Sequence, residues 1–354
     1  MRKPLKRLST PLFLLIILTS ILTRLNPVQS NPPLELNVKT DKSEYYNKEL
    51  VQVYGNLTLD GIQVTDGLIA IQIQTSEDKL LAIRTMSTGN PPPETPYVFL
   101  QYVIPCDENG NPKYEFEPET LAYFKICAAN FDIEPREVLL TVNTYYNDST
   151  PFGYATIKTT ISAHSYPIFI ISIPIPSNAV SGTATAYANA YTDWPKLGGT
   201  PYCCEANATF EITSSTTSSL TTNLLSTIQQ TDGEANYTTT LRLARKIPKG
   251  NYTIYATSRY LGESTSNSTT FEVYILGDLG GGIPPTFFAF DGKVDSKDLS
   301  LFLQCYKGTA PEEAMYLADL GGGLPPKFFQ FDGKVDSKDL SLFLRCYKGT
   351  GPDP

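Results

Sequence analysis

Residues 278–309 and 319–350 are one 32-residue segment written twice, offset by 41 positions and differing at only four of them. Each copy carries the acidic stretch DGKVDSKD and then an apolar pattern of helical period. A loop and helix of this size cannot bury an apolar face alone, so the two copies are expected to pack on each other. Oxygen-rich loops of this spacing suit hard cations such as Ca2+. The duplication therefore restricts the tail, residues 276–354, to a small helical unit built from two loop–helix repeats.

The chain ahead of the tail has the opposite character. From Leu34 to Thr88 apolar residues fall at every second place, with Val51 and Val53, then Ile69, Ile71 and Ile73, in one-faced rows. Asp60-Gly61 and Asp66-Gly67 punctuate them as turns, which is the pattern of half-buried antiparallel strands. A proline-rich connection, GNPPPETP, follows at 89–96. Further β-branched and aromatic runs, among them EVLLTVNTYY and YPIFIISIPIP, extend to Thr213. A Ser/Thr-rich linker is expected over 214–235, then a small β module of its own over 236–275 with a hairpin turn at IPKGNY. The predicted organisation is thus one β-sandwich over 31–105, a second over 106–213, the linker, the small module and the helical tail. The opening TDKSEYYNKELVQVYGNLTLDG resembles Ig-like and macroglobulin-like modules of secreted proteins. IPSNAVSGTATAYANAYTDWP, from Ile175, is similar to the adhesion-related sandwiches of archaeal and bacterial surface proteins. The expected fold class is mainly β, with tandem Ig-like or adhesion-type sandwiches followed by a small α-helical domain.

Residues 1–30 read as a secretory signal peptide: Arg2, Lys3, Lys6 and Arg7 precede an apolar run from Leu12 to Leu22, and small residues flank a cleavage point before Asn31. Its removal takes five basic and no acidic residues, moving the formal charge from −8 to about −13. An acidic surface argues against nucleic acid as a partner. No second stretch approaches membrane-spanning length, so the mature chain is expected to be extracellular. Six sequons, at Asn56, Asn147, Asn207, Asn236, Asn251 and Asn267, agree with that compartment. Of the six cysteines, Cys106 and Cys127 flank a strand connection and are a candidate pair. Cys203 and Cys204 are neighbours, and Cys305 and Cys346 hold equivalent places in the repeats, where a staple between copies is conceivable. The spacing leaves the connectivity open.

An EF-hand-type loop places ligands at positions 1, 3, 5, 7, 9 and 12, with glycine at 6. With Asp291 at 5, Gly292 falls at 6, the Lys293 carbonyl at 7, Asp295 at 9 and Asp298 at 12. The second copy supplies Asp332, Gly333, Lys334, Asp336 and Asp339 in the same roles. Direct counting puts Phe287 and Phe328 at position 1, where the side chain cannot ligate. The nearest upstream acids are Asp278 and Asp319, each 13 residues before position 5. These fit if LGGGIPPTFFAF and LGGGLPPKFFQF are insertions within the loop, and such a lengthening adds only about 0.5 kcal/mol of closure entropy. The competing reading is helix capping, with Asp295 at the N-cap and Asp298 at N3. In the helices, Leu299, Phe302, Leu303 and Tyr306, and Leu340, Phe343, Leu344 and Tyr347, form the expected mutual core.

On these residues the tail resembles dockerin domains, duplicated calcium-loop modules that plug into cohesin domains. The resemblance implies two Ca2+ sites and a cohesin-like domain of another extracellular protein as partner. It further implies that loop positions 10 and 11, Ser296-Lys297 and Ser337-Lys338, meet that partner.

Catalytic signatures are absent from the sequence. The single histidine, His164, sits in a Ser/Tyr-rich turn, and no nucleophile elbow or phosphate loop occurs. The sequence thus predicts a non-catalytic, secreted modular protein that docks through its tail. The alternative is a carbohydrate-binding component of a polysaccharide-degrading assembly, in which Tyr191, Trp194 and Tyr202 would stack on sugar.

Overall fold

The computed structural model describes residues 34–90, 97–213, 236–280, 291–310, 312–321 and 333–348. The expected signal peptide, the 214–235 linker, Phe287, Phe288, Phe328, Phe329 and Asp332 lie outside the described residues.

The first strands are β1 (Leu34–Thr40), β2 (Glu44–Tyr46), β3 (Leu50–Leu59), β4 (Ile62–Gln63), β5 (Leu68–Gln74) and β6 (Leu80–Ser87). Then come β7 (Val98–Cys106), β8 (Glu115–Phe116), β9 (Leu121–Asn130), β10 (Arg136–Tyr146), β11 (Pro151–Ile161), β12 (Ile168–Pro174), β13 (Gly182–Tyr191) and β14 (Ala206–Ile212). The last are β15 (Asn236–Arg242), β16 (Gly250–Tyr260) and β17 (Glu263–Tyr274). Three helices follow among the described residues: α1 (Ser296–Tyr306), α2 (Glu312–Ala318) and α3 (Ser337–Tyr347). The chain is mainly β, as the alternation foretold. No helix of the described residues is long and apolar enough to cross a membrane.

Among the described residues four sheets form two pairs. One pair joins β1-β3-β15, with β4 on β3, to β2-β17-β16-β5-β6. Its core holds Val51, Val53, Ile69, Ile71 and Ile73 from the early strands with Tyr237, Tyr252, Ile254 and Phe271 from the late ones. The other pair joins β11-β10-β13-β14-β8 to β12-β9-β7 around Phe124, Ile126, Leu140, Val142 and Phe210.

This connectivity corrects the expected divisions. Residues 236–275 are not a module of their own, because β15 pairs with β3 and β16 with β5, completing the first sheet pair. The second pair, residues 98–212, is inserted between β6 and β15. A boundary at 105/106 would cut β7, which belongs wholly to the second pair through β9.

The pairs meet along a seam that buries both faces of β5 and most of β10. Ala70, Ile83, Leu139 and Tyr191 form its apolar part, with Trp194 packed alongside. Its polar part is tightly bonded. The Arg84 guanidinium donates to both Glu205 carboxylate oxygens, Nε to Oε2 at 2.9 Å and Nη2 to Oε1 at 2.6 Å, and lies 3.5 Å over the Tyr187 ring. The Ile83 N–H donates to Asn143 Oδ1 at 3.1 Å, and Thr85 Oγ1 donates to the Tyr191 hydroxyl at 3.1 Å.

The register also decides the cysteines. Cys106 sits opposite Tyr123 and Cys127 opposite Tyr102, so the two are four places apart along the ladder, about 13 Å at strand rise. That is too far for a disulfide, and the candidate Cys106–Cys127 pair is excluded. All six cysteines are free thiols, with Cys106, Cys127, Cys203 and Cys305 buried. Denaturing the unreduced chain should therefore expose six titratable thiols to a chromogenic disulfide reagent; four or fewer would contradict this arrangement.

Candidate functional site

The tail leaves the first sheet pair at β17 and is seated on it. The Leu276 N–H donates to Asn47 Oδ1 at 3.0 Å, and Tyr46 packs against the tail core of Leu276, Leu279, Leu301, Phe302, Leu342 and Phe343. Phe302 and Phe343, equivalent residues of the two copies, stack with ring centroids 4.6 Å apart. The copies thus pack on each other as the duplication requires. The face they use is rotated from the expected one. Leu301, Phe302 and Cys305 are buried in α1, while Leu303 and Tyr306 are exposed at 37 % and 41 %. In α3, Leu342 and Phe343 are buried, Leu340 and Leu344 only partly, and Tyr347 is 40 % exposed. The run LSLFLQCY contains two overlapping helical stripes sharing Phe302, and the one that also carries the buried Asp298 turns inward.

Both helices begin with a complete capping box. The Lys297 N–H donates to Asp295 Oδ1 at 2.7 Å, and the Asp295 N–H donates to Asp298 Oδ2 at 2.7 Å. Asp336 and Asp339 repeat this at 2.7 and 2.8 Å. The capping role considered for these aspartates is realised in full. Asp298 does more: its Oδ1 accepts the N–H groups of Leu279 and Gly280 at 2.7 and 3.0 Å, tying the upstream segment to the helix start. Asp339 Oδ1 does the same for Leu320 and Gly321, both at 2.8 Å.

The upstream acids, 13 residues before position 5, are brought to the loop. Asp278 Oδ2 accepts the Gly292 N–H at 2.7 Å, and Asp319 Oδ2 accepts the Gly333 N–H at 2.7 Å. Both glycines hold φ near +80°, the left-handed conformation that position 6 demands and that other residues adopt only with strain. Asp278 and Asp319 are each 6 % exposed, and their Oδ1 atoms are fully buried without a hydrogen-bond partner. An unpaired buried carboxylate oxygen is costly. Burial raises the Asp278 carboxyl above the ordinary aspartate range; the Gly292 N–H and Lys249 oppose the shift, and Asp298 and Asp291 add to it.

The remaining candidates are outward. Asp291 is exposed, its Oδ1 accepting the Lys293 N–H at 3.0 Å and its Oδ2 4.0 Å from Lys297 Nζ. Ser296, Lys297, Ser337 and Lys338 are exposed in the first turns of α1 and α3, and Lys293 and Lys334 are exposed in the loops. Among the described residues no group of three or more His, Cys, Asp or Glu side chains converges as a metal cluster. The two orphaned oxygens, Asp278 Oδ1 and Asp319 Oδ1, have the chemistry of hard-cation donors.

Elsewhere, Asn147, Asn207, Asn236, Asn251 and Asn267 are exposed and Asn56 half-buried. Asn56 lies directly opposite Asn236. Tyr191 is fully buried, Trp194 packs on the seam and the Tyr202 hydroxyl donates to the Glu137 carbonyl, so the three do not form an open stacking platform. His164 is exposed in a turn.

No protein-family model matches the chain, and no curated protein does. Among solved structures, the C-terminal domain of Wzt aligns at 10 % identity with a TM-score of 0.29, covering 38 % of this chain and 85 % of that one. A CARDB domain from Pyrococcus furiosus, solved in complex with di-metal ions, aligns at 13 % identity and TM-score 0.23, over 36 % of this chain and 95 % of that one. A β-glucuronidase of Bacteroides uniformis aligns at 10 % identity and TM-score 0.26, over 47 % of this chain but only 26 % of the enzyme. Likenesses at this level identify no family.

Proposed function

We propose that the chain is an extracellular, non-catalytic modular protein whose duplicated tail is a dockerin-like unit that binds two calcium ions and docks onto a cohesin-like domain. The observation that carries this reading is the pair of orphaned oxygens, Asp278 Oδ1 and Asp319 Oδ1, at the same place in both repeats. Each belongs to a carboxylate already held by the loop glycine through its other oxygen. A cation there would satisfy the buried charge. Asp278, Asp291, Asp298 and the Lys293 carbonyl would hold it in the first loop, with Asp295 alongside. Asp319, Asp332, Asp339 and the Lys334 carbonyl, with Asp336, would do so in the second. Calcium supplies charge neutralisation and loop closure, not chemistry. The exposed Ser296-Lys297 and Ser337-Lys338 pairs at the helix starts offer a surface for the partner. The sheet pairs serve adhesion or display, and the sequons would carry glycans.

A ligand present at a hundred times its Kd stabilises the folded state by about 2.7 kcal/mol. Differential scanning calorimetry of the full chain should therefore show the tail transition rising in calcium and falling in chelator, with the sheet pairs unmoved. Capture of a cohesin-like domain in calcium, abolished by chelator, tests the partner. A tail transition indifferent to both conditions would remove the calcium half of the reading.

A further inference from the structure

The two repeats are nearly identical in sequence, yet the body of the molecule touches them differently. Lys249, on the turn between β15 and β16, extends over the first loop. Its methylenes lie against Gly292, where an added Cβ would sit 3.6 Å from Cγ and Cδ. Its ammonium is 3.7 Å from Asp278 Oδ2, a carboxylate whose side chain is only 1 % exposed. Asp319 keeps the same internal contacts, the Gly333 N–H at 2.7 Å and an orphaned Oδ1, but among the described residues it makes no ion pair. Lys249, Asp278 and Asp319 line one cavity of about 350 Å³ between the first sheet pair and the tail, together with Glu44, Tyr46 and Tyr274.

We infer that Lys249 is the built-in counter-ion of the first loop, so that the two repeats bind their cations unequally and the first does so only by displacing a side chain of the sheet pair. The inference rests on the calcium reading and adds to it a coupling between cation and tail seating. A cation coordinated by Asp278 and an ammonium held against the same buried carboxylate repel each other, and burial of the carboxylate weakens the screening of that repulsion by salt. The first site is then weak and competes with the contact that seats the tail on the body. The second is tight and leaves the contact alone. A duplicated module becomes one permanent site and one responsive site through a residue outside the duplication.

Calorimetric titration of calcium into the full chain, compared with Lys249→Met and Lys249→Arg, tests this. Methionine keeps the stem over Gly292 and removes the charge; arginine keeps the charge. The wild-type chain should show two classes of site separated by about tenfold or more in affinity. Lys249→Met should tighten the weaker class until the two converge, and Lys249→Arg should preserve the separation. Two equal sites in the wild type, or a separation unchanged by Lys249→Met, would overturn the inference while leaving calcium binding in place. A wild-type chain that takes up no calcium overturns the calcium reading and this inference with it.

Discussion

Replacing Glu205 by alanine is expected to destabilise the chain by about 3–5 kcal/mol, because it strands a buried guanidinium. Arg84 and Glu205 are exposed only to 11 % and 10 % at the seam between the sheet pairs. Glu205 also accepts the Thr85 N–H at 3.3 Å, so one truncation orphans a charge and a backbone donor. The Tyr187 and Tyr145 rings against the guanidinium cannot replace a carboxylate. The double replacement Arg84→Met with Glu205→Leu should recover most of the loss, since an apolar pair of similar size removes the desolvation cost along with the attraction. Urea denaturation of the two variants beside the wild-type chain measures both numbers. A loss below about 1 kcal/mol for the single variant would mean that water reaches the seam.

Asp298→Ala is the second large effect, and it falls on the tail. The carboxylate accepts three backbone N–H groups, those of Leu279, Gly280 and Asp295, at a site 2 % exposed. At about 1 kcal/mol or more for each orphaned buried donor, the tail should lose about 3 kcal/mol even in chelator, where no cation is involved. Asp339→Ala should behave alike through Leu320, Gly321 and Asp336. Asp291→Ala, at an exposed position, should stay within about 0.5 kcal/mol under the same conditions. Hydrogen exchange at the Leu279 and Gly280 amides reports the loss directly.

The helix starts were readable because capping is local: Asp295 and Asp298 stand three residues apart, ahead of a helical stripe, and both boxes form. Which stripe faces inward was not readable, because leucines at 299, 301 and 303 support two faces sharing Phe302. The choice is made by Asp298, which faces inward to hold the segment ahead of the loop. The return of β15–β17 to β3 and β5 left no trace in the pattern, since strand pairing across an inserted domain depends on contacts far apart in sequence. In β5, Gln72 and Gln74 alternate with isoleucines, the pattern of a half-buried strand. They are 2 % and 8 % exposed, and Gln72 Oε1 accepts the Lys196 N–H at 3.1 Å from the turn after β13. The fold-back of Asp278 and Asp319 was legible only as a requirement of the metal reading; the Gly292 and Gly333 bonds are where the structure places them.

Calcium titration into the full chain by calorimetry addresses the two orphaned oxygens, Asp278 Oδ1 and Asp319 Oδ1, most directly. The wild-type chain should take up two ions. Asp319→Asn should remove the tighter site, and the double variant Asp278→Asn, Asp319→Asn should remove both while the tail remains folded, because asparagine still accepts the glycine N–H. No calcium heat in the wild-type chain, or uptake undiminished in the double variant, would contradict it.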